Sequence, residues 1–420
     1  MSRLPANVGS VSSGDLRVVV VGGSIAGCTL AAELTRAGIS ATVLERSSAV
    51  LDDRGAGISS SQAHLDDLKT RDLVDQDIPV VDRTGAQRAF THRGDDPEGR
   101  VVWEQPISTY GLAWGILYNN LRRRVPDDRY LPGTVVTGIR EARDFVAVQT
   151  AGHGEFPADV VVFADGYSSH GRQVLFPAVG MEYADYVAWR GIIPEGGLTP
   201  DRPATEMAMH DGGHCVVYYV PGPDGGRQVG ERLLNWVWYT VMRDDELSSL
   251  IGGSGGTSLP RGAVRGEVLE RLRSRARQLL RSRAAEVVVH TPDPFLQVVY
   301  DVRVPSHIAG RCALIGDAAT IARPHTGSGA IKAAQEAIAL GEQLARSTSA
   351  VQALADWNAV VQPKSDELFA TGRALGRSMV TESPDWSRFG PAEARDWWRQ
   401  ASEGAYVYYA DDAAKPGRYS

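Results

Sequence analysis

The chain has 420 residues, 43% of them hydrophobic and 23% charged, an ordinary globular composition with room for a large core and two or three domains. A formal net charge of -7 argues against nucleic acid as the main partner, and no apolar run approaches the roughly 20 residues of a membrane-spanning helix. Three scattered cysteines, Cys28, Cys215 and Cys312, each lie in or beside an apolar run; they read as small buried residues in a reducing compartment, not as a disulfide framework or a metal site. Met1 to Gly14 is Ser-rich and lacks the apolar core of a signal peptide, so it reads as a disordered leader of a cytoplasmic protein.

From Arg17 to Arg46 the pattern is strand, tight turn, helix, strand. Val18 to Val21 is a β-branched run suited to a strand buried on both faces. Gly22, Ser24 and Gly27 follow at the spacing of a glycine-rich turn, with Ser24 in place of the central glycine. The helix has Ala26, Leu30, Leu34 and Ala37 on one face and Gly38 at its end. Ala41 to Leu44 forms a second strand, closed by Glu45, 18 residues after Gly27, with Arg46 beside it. A dinucleotide needs these residue types at this spacing. Gly22 permits the turn, Gly27 lets helix and strand approach, the helix start at Ile25 and Ala26 offers free N–H groups to a pyrophosphate, and Glu45 can accept hydrogen bonds from a ribose diol. A structural βαβ unit is the alternative reading.

Arg54 and Gly57, in the segment RGAGI, suggest another close backbone approach to a ligand, with a charge for a phosphate or a polar ring edge. Ser59 to Leu73 reads as a helix, and Val80 to Trp103 as strands of a different sheet. Leu112 to Arg124 reads as a helix ending in a solvated basic turn, Arg122, Arg123 and Arg124. Thr134 to Thr137 and Phe145 to Gln149 fit a β-meander. Val160 to Ala164 is a buried strand that delivers Asp165 to its carboxyl end, where open α/β sheets bind ligands. Asp165 to Arg172 spells D-G-x-x-S-x-x-R.

From Met181 to Thr291 the chain alternates and is dense in Trp and Tyr. Strands are expected over Tyr186 to Ile193, Cys215 to Val220 and Leu233 to Met242, and a basic helix over Val264 to Arg283. This part reads as an antiparallel sheet with a helix, either a substrate lobe or simply a packed aromatic core. A strand over Ala313 to Ile315 then leads into Gly316-Asp317. Pro324, Gly327, Ser328 and Gly329 open a helix whose packed face is mostly Ala and Leu, a second N-terminus suited to a negatively polarised group. Val351 onward is helical, and the tail from Glu382 reads as irregular and Trp-rich. No internal repeat is visible.

Three segments in this order, GGSIAG with Glu45, DGYSSHGR (165–172) and GDAATIARPHTGSG (316–329), resemble the aromatic-ring hydroxylases, FAD-dependent monooxygenases of the p-hydroxybenzoate hydroxylase type. The likeness spans roughly residues 16–350. RGAGI, YGLAWGILYNNL, YVAWRGIIPE, NWVWY and ARPHTGSGAIKAA resemble the branch acting on N-heteroaromatic rings, such as 2,6-dihydroxypyridine 3-hydroxylase. Two departures from the wider family are Thr320, where many members have His, and Trp114, where many have Arg.

The resemblance implies an α/β fold: a Rossmann-like FAD-binding domain, a parallel sheet with a β-meander, interleaved with an antiparallel-sheet substrate domain. The FAD-binding domain is expected in three parts, 15–79, 111–180 and 293–350, and the substrate domain in two, 80–110 and 181–292, with C-terminal helices and tail over 351–420. It also implies FAD and NAD(P)H as cofactors and O2 as co-substrate. An activated aromatic or N-heteroaromatic ring would be hydroxylated through a flavin C4a-hydroperoxide. Glu45 would hold the adenosine ribose and Asp317 the ribityl chain, while Gly22, Ser24 and Gly27 face the pyrophosphate. Arg54 would lie near the ribityl and flavin-ring region, and Asp165 would order the FAD site and support NAD(P)H. Pro324 to Gly329 would line the isoalloxazine. Candidates to contact or deprotonate the substrate are His325, Arg190, His214, Tyr218 and Tyr239. No metal is expected, and a homodimer is left open. A halogenase is disfavoured because no Lys precedes Lys69 and Trp236-Val237-Trp238 runs into Tyr239-Thr240 instead of Ile-Pro. An oxidase or dehydrogenase without oxygen insertion, and a non-catalytic FAD binder, are the remaining alternatives.

Overall fold

A computed structural model describes residues 16–49, 51, 56–93, 96–196, 198, 205–252 and 258–401. Met1 to Gly14 and Arg54 lie outside them. Arg17–Val21 sits at the centre of a six-stranded sheet, paired in parallel with Ser40–Glu45 on one side and Val160–Phe163 on the other. Tyr130–Pro132 extends the sheet beyond Ser40–Glu45, and Cys312–Leu314 extends it beyond Val160–Phe163, both in parallel. The valines divide by strand alternation. Val18 and Val20 pack under the helices Ile25–Arg36 and Gly329–Arg346, whereas Val19 and Val21 pack on a three-stranded meander of Val136–Glu141, Val146–Thr150 and Gly154–Ala158. The third meander strand, GEFPA, had no clear strand signal, and its Pro157 is tolerated because the strand is an edge.

The second sheet is larger. Its order is Ser258–Leu259, Phe295–Arg303, Glu182–Pro194, Leu233–Val241, Gly213–Val220, Thr205–His210, Gly85–Arg93, Asp96–Ile107. All neighbours are antiparallel except Thr205–His210 against Gly85–Arg93. Trp189, Trp236 and Trp238 face the helices Asp244–Ile251, Gly266–Leu279 and Ser282–His290. Tyr186, Ala188, Val237 and Tyr239 face the other way, toward Leu375, Met379 and Val380.

Several local expectations are corrected. The helix expected from Ser59 starts at Gln62, capped by Ser61, because Gly57–Ser60 is a strand paired with Tyr110–Ala113. That same ladder delays the next helix to Trp114–Arg122. Its basic end is paired, not solvated: Arg122 lies 4.0 Å over the Tyr130 ring, Arg123 meets Asp75 at 2.6 Å, and Arg124 meets Asp72 at 2.9 Å. The basic helix expected over Val264 to Arg283 is two helices with a break at Leu280–Arg281. The tail is not irregular throughout, since Pro391–Ala401 is a helix whose Trp398 packs 4.7 Å from Trp103. Cys28, Cys215 and Cys312 are free and buried.

Candidate active site

The five parallel strands of this sheet send their carboxyl ends to one edge, while the edge strand Ile308–Ala309 runs antiparallel. Gly22, Glu45, Asp165 and Gly316-Asp317 therefore converge there, although up to 295 residues separate them in sequence. A cleft of about 400 Å³ opens at that edge, lined among others by Gly22, Ser24, Glu45, Arg46, Trp114 and Asp165. Gly22 has φ +101°, and a Cβ there would stand 2.5 Å from the Ala164 carbonyl oxygen. A Cβ on Gly27 would overlap the Gly22 carbonyl oxygen. The turn and the helix Ile25–Arg36 thus pack backbone to backbone. Glu45 accepts the N–H of Gly23 at 2.8 Å and that of Ser47 at 2.8 Å, which fixes the carboxylate at the cleft's rim. Each oxygen keeps further acceptor capacity.

The second motif is a connector. Asp165 accepts from Ser169 Oγ at 2.5 Å and from the N–H groups of His170 and Gly171 at 2.7 and 3.1 Å, so it caps the helix His170–Leu175. Arg172 then reaches across and donates to the carbonyls of Asp317 and Ala318, at 3.2 and 3.0 Å. The third motif is gripped from the other side. Lys332 Nζ donates to the Gly316 carbonyl at 3.1 Å, and Glu336 accepts the Gly316 N–H at 2.7 Å. Lys332 and Glu336 pair at 3.0 Å, and both are 5% exposed. Burial pushes the Glu336 carboxyl up, but Lys332, His307 and the Gly316 N–H outweigh it and hold it at about 2. Asp317 makes no hydrogen bond through its carboxylate among the described residues. Burial raises its pKa, against the pull of Lys332 and Arg172.

A second cluster lies where the segment Pro324–Thr326 meets the large sheet. Tyr186 Oη and His325 Nε2 are 2.9 Å apart. The His325 ring lies 4.2 Å from Tyr239 and 5.2 Å from His214, and His214 lies 4.8 Å from Tyr239. Burial drives the His214 pKa down to about 3 and that of His325 well below the ordinary value, so both rings are neutral at neutral pH. Burial raises the Tyr239 and Tyr186 phenols. Arg190 projects its charge onto Tyr218, Tyr239 and His325. The structure gives Arg190 no carboxylate partner among the described residues. Its Nε is buried without a hydrogen bond, as are Nδ1 of His214 and Nδ1 of His325. Three such atoms around one spot are what a polar ligand would satisfy. Tyr218 stands slightly apart. Its hydroxyl donates to the Gly57 carbonyl at 2.8 Å, and Asn235 Oδ1 accepts the Gly57 N–H at 2.7 Å.

Comparison with known proteins agrees with this geometry. Residues 183–301 match the FAD binding domain-like family and residues 17–72 the pyridine nucleotide-disulphide oxidoreductase family. The chain is 28% identical over 355 residues to the 2,6-dihydroxypyridine 3-monooxygenase of Paenarthrobacter nicotinovorans, covering 81% of this chain and 86% of that one. It is 28% identical over 379 residues to the aurachin C monooxygenase/isomerase of Stigmatella aurantiaca, covering 86% and 89%. The solved structure of 2,6-dihydroxypyridine-3-hydroxylase from Arthrobacter nicotinovorans superposes with a TM-score of 0.79 at 25% identity, covering 89% of this chain and 96% of that one. Over most of its length the chain is similar to FAD-dependent aromatic-ring hydroxylases.

It is an enzyme with FAD as cofactor, and the cleft fits that group. Main chain at Gly22, an anchored acceptor at Glu45 and, at the same sheet edge, a half-buried, unbonded carboxylate at Asp317 suit a pyrophosphate, a ribose and a ribityl chain. Trp114 lines the cleft as an aromatic wall, stacked on Tyr118 with centroids 5.2 Å apart. Thr320 is fully buried. Sequence reasoning did not single out Tyr186, Lys332, Glu336 or the pair Arg323–Asp301, bonded twice at 2.7 and 2.6 Å beneath Tyr186. One signal was available. Lys332 and Glu336 stand four apart within an otherwise small and apolar helix face, where a buried charge needs a partner.

Proposed function

We propose that this hydroxylase inserts one atom of O2 into an activated aromatic or N-heteroaromatic ring, with NAD(P)H as electron donor: ring C–H, O2, NAD(P)H and a proton give ring C–OH, NAD(P)+ and water. FAD, when bound, supplies the electron transfer and oxygen activation. One observation carries the reading. The glycine-rich segment that would line the flavin ring, Pro324 to Gly329, is the same segment that brings His325 against Tyr186, Tyr239 and His214. Cofactor and substrate would therefore meet at His325.

The chain's own residues then divide the work. Glu45 holds the adenosine ribose, Asp317 the ribityl chain, and the turn from Gly22 to Gly27 the pyrophosphate. Asp165 orders the second motif by capping it. Arg190 supplies a positive charge that favours an ionised ring hydroxyl. Neutral His325, in the tautomer whose Nε2–H donates to Tyr186 Oη, offers Nδ1 as the acceptor for that proton. We divide the chain between FAD-binding and substrate domains at the boundaries given above. Three free, buried thiols support a cytoplasmic location.

Anaerobic rapid mixing tests the reading. Flavin reduction by NADH and by NADPH is followed with and without phenols, hydroxypyridines and indoles. Marked acceleration by one ring compound is expected, with one hydroxylated product per reduced cofactor once air is admitted. Stoichiometric hydrogen peroxide without hydroxylated product would replace the reading with an oxidase.

A further inference from the structure

Strand alternation gives the large sheet two faces. Tyr186, Arg190, His214 and Tyr239 belong to the face that meets His325. Trp189, Trp238 and Thr240 belong to the opposite one, under the helices Asp244–Ile251 and Gly266–Leu279. Between that second face and the two helices lies a cavity of about 240 Å³. Its floor carries the two indoles, Met242, Leu250 and Leu272 give it apolar sides, and Arg271 and Arg275 stand on its wall. Glu246, Ser249 and Arg271 are exposed, so the mouth opens to solvent.

Three features of this cavity need an account. Two tryptophans, among the largest of side chains, line this recess without filling it. Arg271 and Arg275, one helical turn apart, make no ion pair or hydrogen bond among the described residues, whereas Arg273 on the same helix pairs with Glu270 at 2.9 Å. Thr240 is 2% exposed, and its hydroxyl is buried with no partner among the described residues. The Trp238 indole N–H is already used, donating to His210 Nε2 at 2.8 Å, so it is anchored as a flat apolar plate.

We propose that this cavity is a second small-molecule site, separate from the His325 cluster, that takes a single-ring aromatic carboxylate. The indoles supply faces for a planar ring. The two unpaired guanidinium groups supply forked donors for a carboxylate, and Thr240 a hydroxyl for a ring substituent. The single lining acid, Glu246, opposes a second negative charge. The volume lies below the roughly 300 Å³ at which pockets begin to hold drug-sized ligands, which limits the occupant to one ring.

Calorimetric titration of the FAD-loaded protein with benzoate tests this, with benzamide as the uncharged isostere. Both are run in the wild type and in Arg190→Gln, so that uptake at the other face is told apart. Saturable benzoate binding that persists in Arg190→Gln is expected. It should weaken about ten-fold or more in the double variant Arg271→Gln, Arg275→Gln, and benzamide should bind about ten-fold or more weakly than benzoate. Absence of saturable uptake, unchanged affinity in the double variant, equal affinity for benzamide, or loss in Arg190→Gln alone each overturns the proposal. The benzamide comparison needs no substitution and stands even if the double variant misfolds.

Discussion

Glu45 holds both of its oxygens against backbone N–H groups, at Gly23 and Ser47, before any ligand is considered. Its position is therefore set by the turn it closes, and the turn in turn is set by it. Removing the carboxylate takes away a preorganised acceptor and leaves two N–H groups without their partner. Hydrogen bonds to a charged group contribute about 1.5–3 kcal/mol, so Glu45→Ala is expected to weaken FAD binding roughly ten- to hundred-fold. Quenching of flavin fluorescence on titration of the apoprotein reads this directly, and an unchanged dissociation constant would remove Glu45 from the cofactor site. Arg190 and His325 illustrate a different kind of residue. Each keeps a buried nitrogen without a hydrogen bond, and the cationic one faces rings that burial keeps neutral. That arrangement is unfavourable in isolation and sensible around an anionic ring.

At the scale of elements, the helix Gly329–Arg346 does two things with one stretch. Its small residues let it lie against the helix Ile25–Arg36, where a Cβ on Gly341 would stand 3.0 Å from Glu33 Cβ. Its one buried ion pair grips both polar atoms of the Gly316 peptide and so aims Asp317. The two partners are not equivalent. Glu336 is bonded by Gly316 and by Ser365 Oγ at 2.8 Å as well as by Lys332, so it survives the loss of the lysine. Lys332 has Glu336, one carbonyl and only a charge–charge attraction to Asp317, so it is left worse off by the converse. Glu336→Ala, which strands a buried ammonium, is expected to destabilise the fold by about 3–5 kcal/mol, and Lys332→Met by clearly less. Urea unfolding of both variants checks the order; equal losses would show that the grip is not a charge pair. Both variants should also bind FAD more weakly than wild type if the grip sets the position of Asp317.

The whole molecule was legible where local pattern and topology coincide, and obscure where a contact is made between distant segments. The strand–turn–helix–strand unit at Arg17 to Arg46 announces itself because valine runs, turn glycines and a terminal acid act within 30 residues. Tyr186 gave no such sign, because its partner His325 is 139 residues away and nothing nearby distinguishes it from a core tyrosine. The strand Thr205–His210 was missed because all six of its residues are buried, which erases the alternation that reveals a half-exposed strand. The same burial shapes the response of the molecule to acid. His210 is pushed down to about 4 and His214 to about 3, in both cases first by burial, and His325 lies well below the ordinary value for the same reason. An unfolded histidine takes up its proton near pH 6.5, while these three stay neutral in the fold. The unfolded chain therefore binds more protons below pH 6.5, and stability falls as pH falls through that window. For His210 and His214 the loss at pH 4 is about 3 kcal/mol each by this linkage. Carboxylates held low in the fold, such as Glu336 at about 2, add their own loss only as pH falls below about 4.5. Asp317, raised by burial, works the other way, so the loss between pH 6.5 and 5 belongs to the histidines. Thermal melts of the FAD-loaded protein should show Tm falling over that interval and falling less in His214→Asn, which removes one of the three titrating rings. A Tm that stays level from pH 7 to pH 5 would mean that these rings are hydrated or already charged in the fold, and with that the neutral acceptor assigned to His325 would fall.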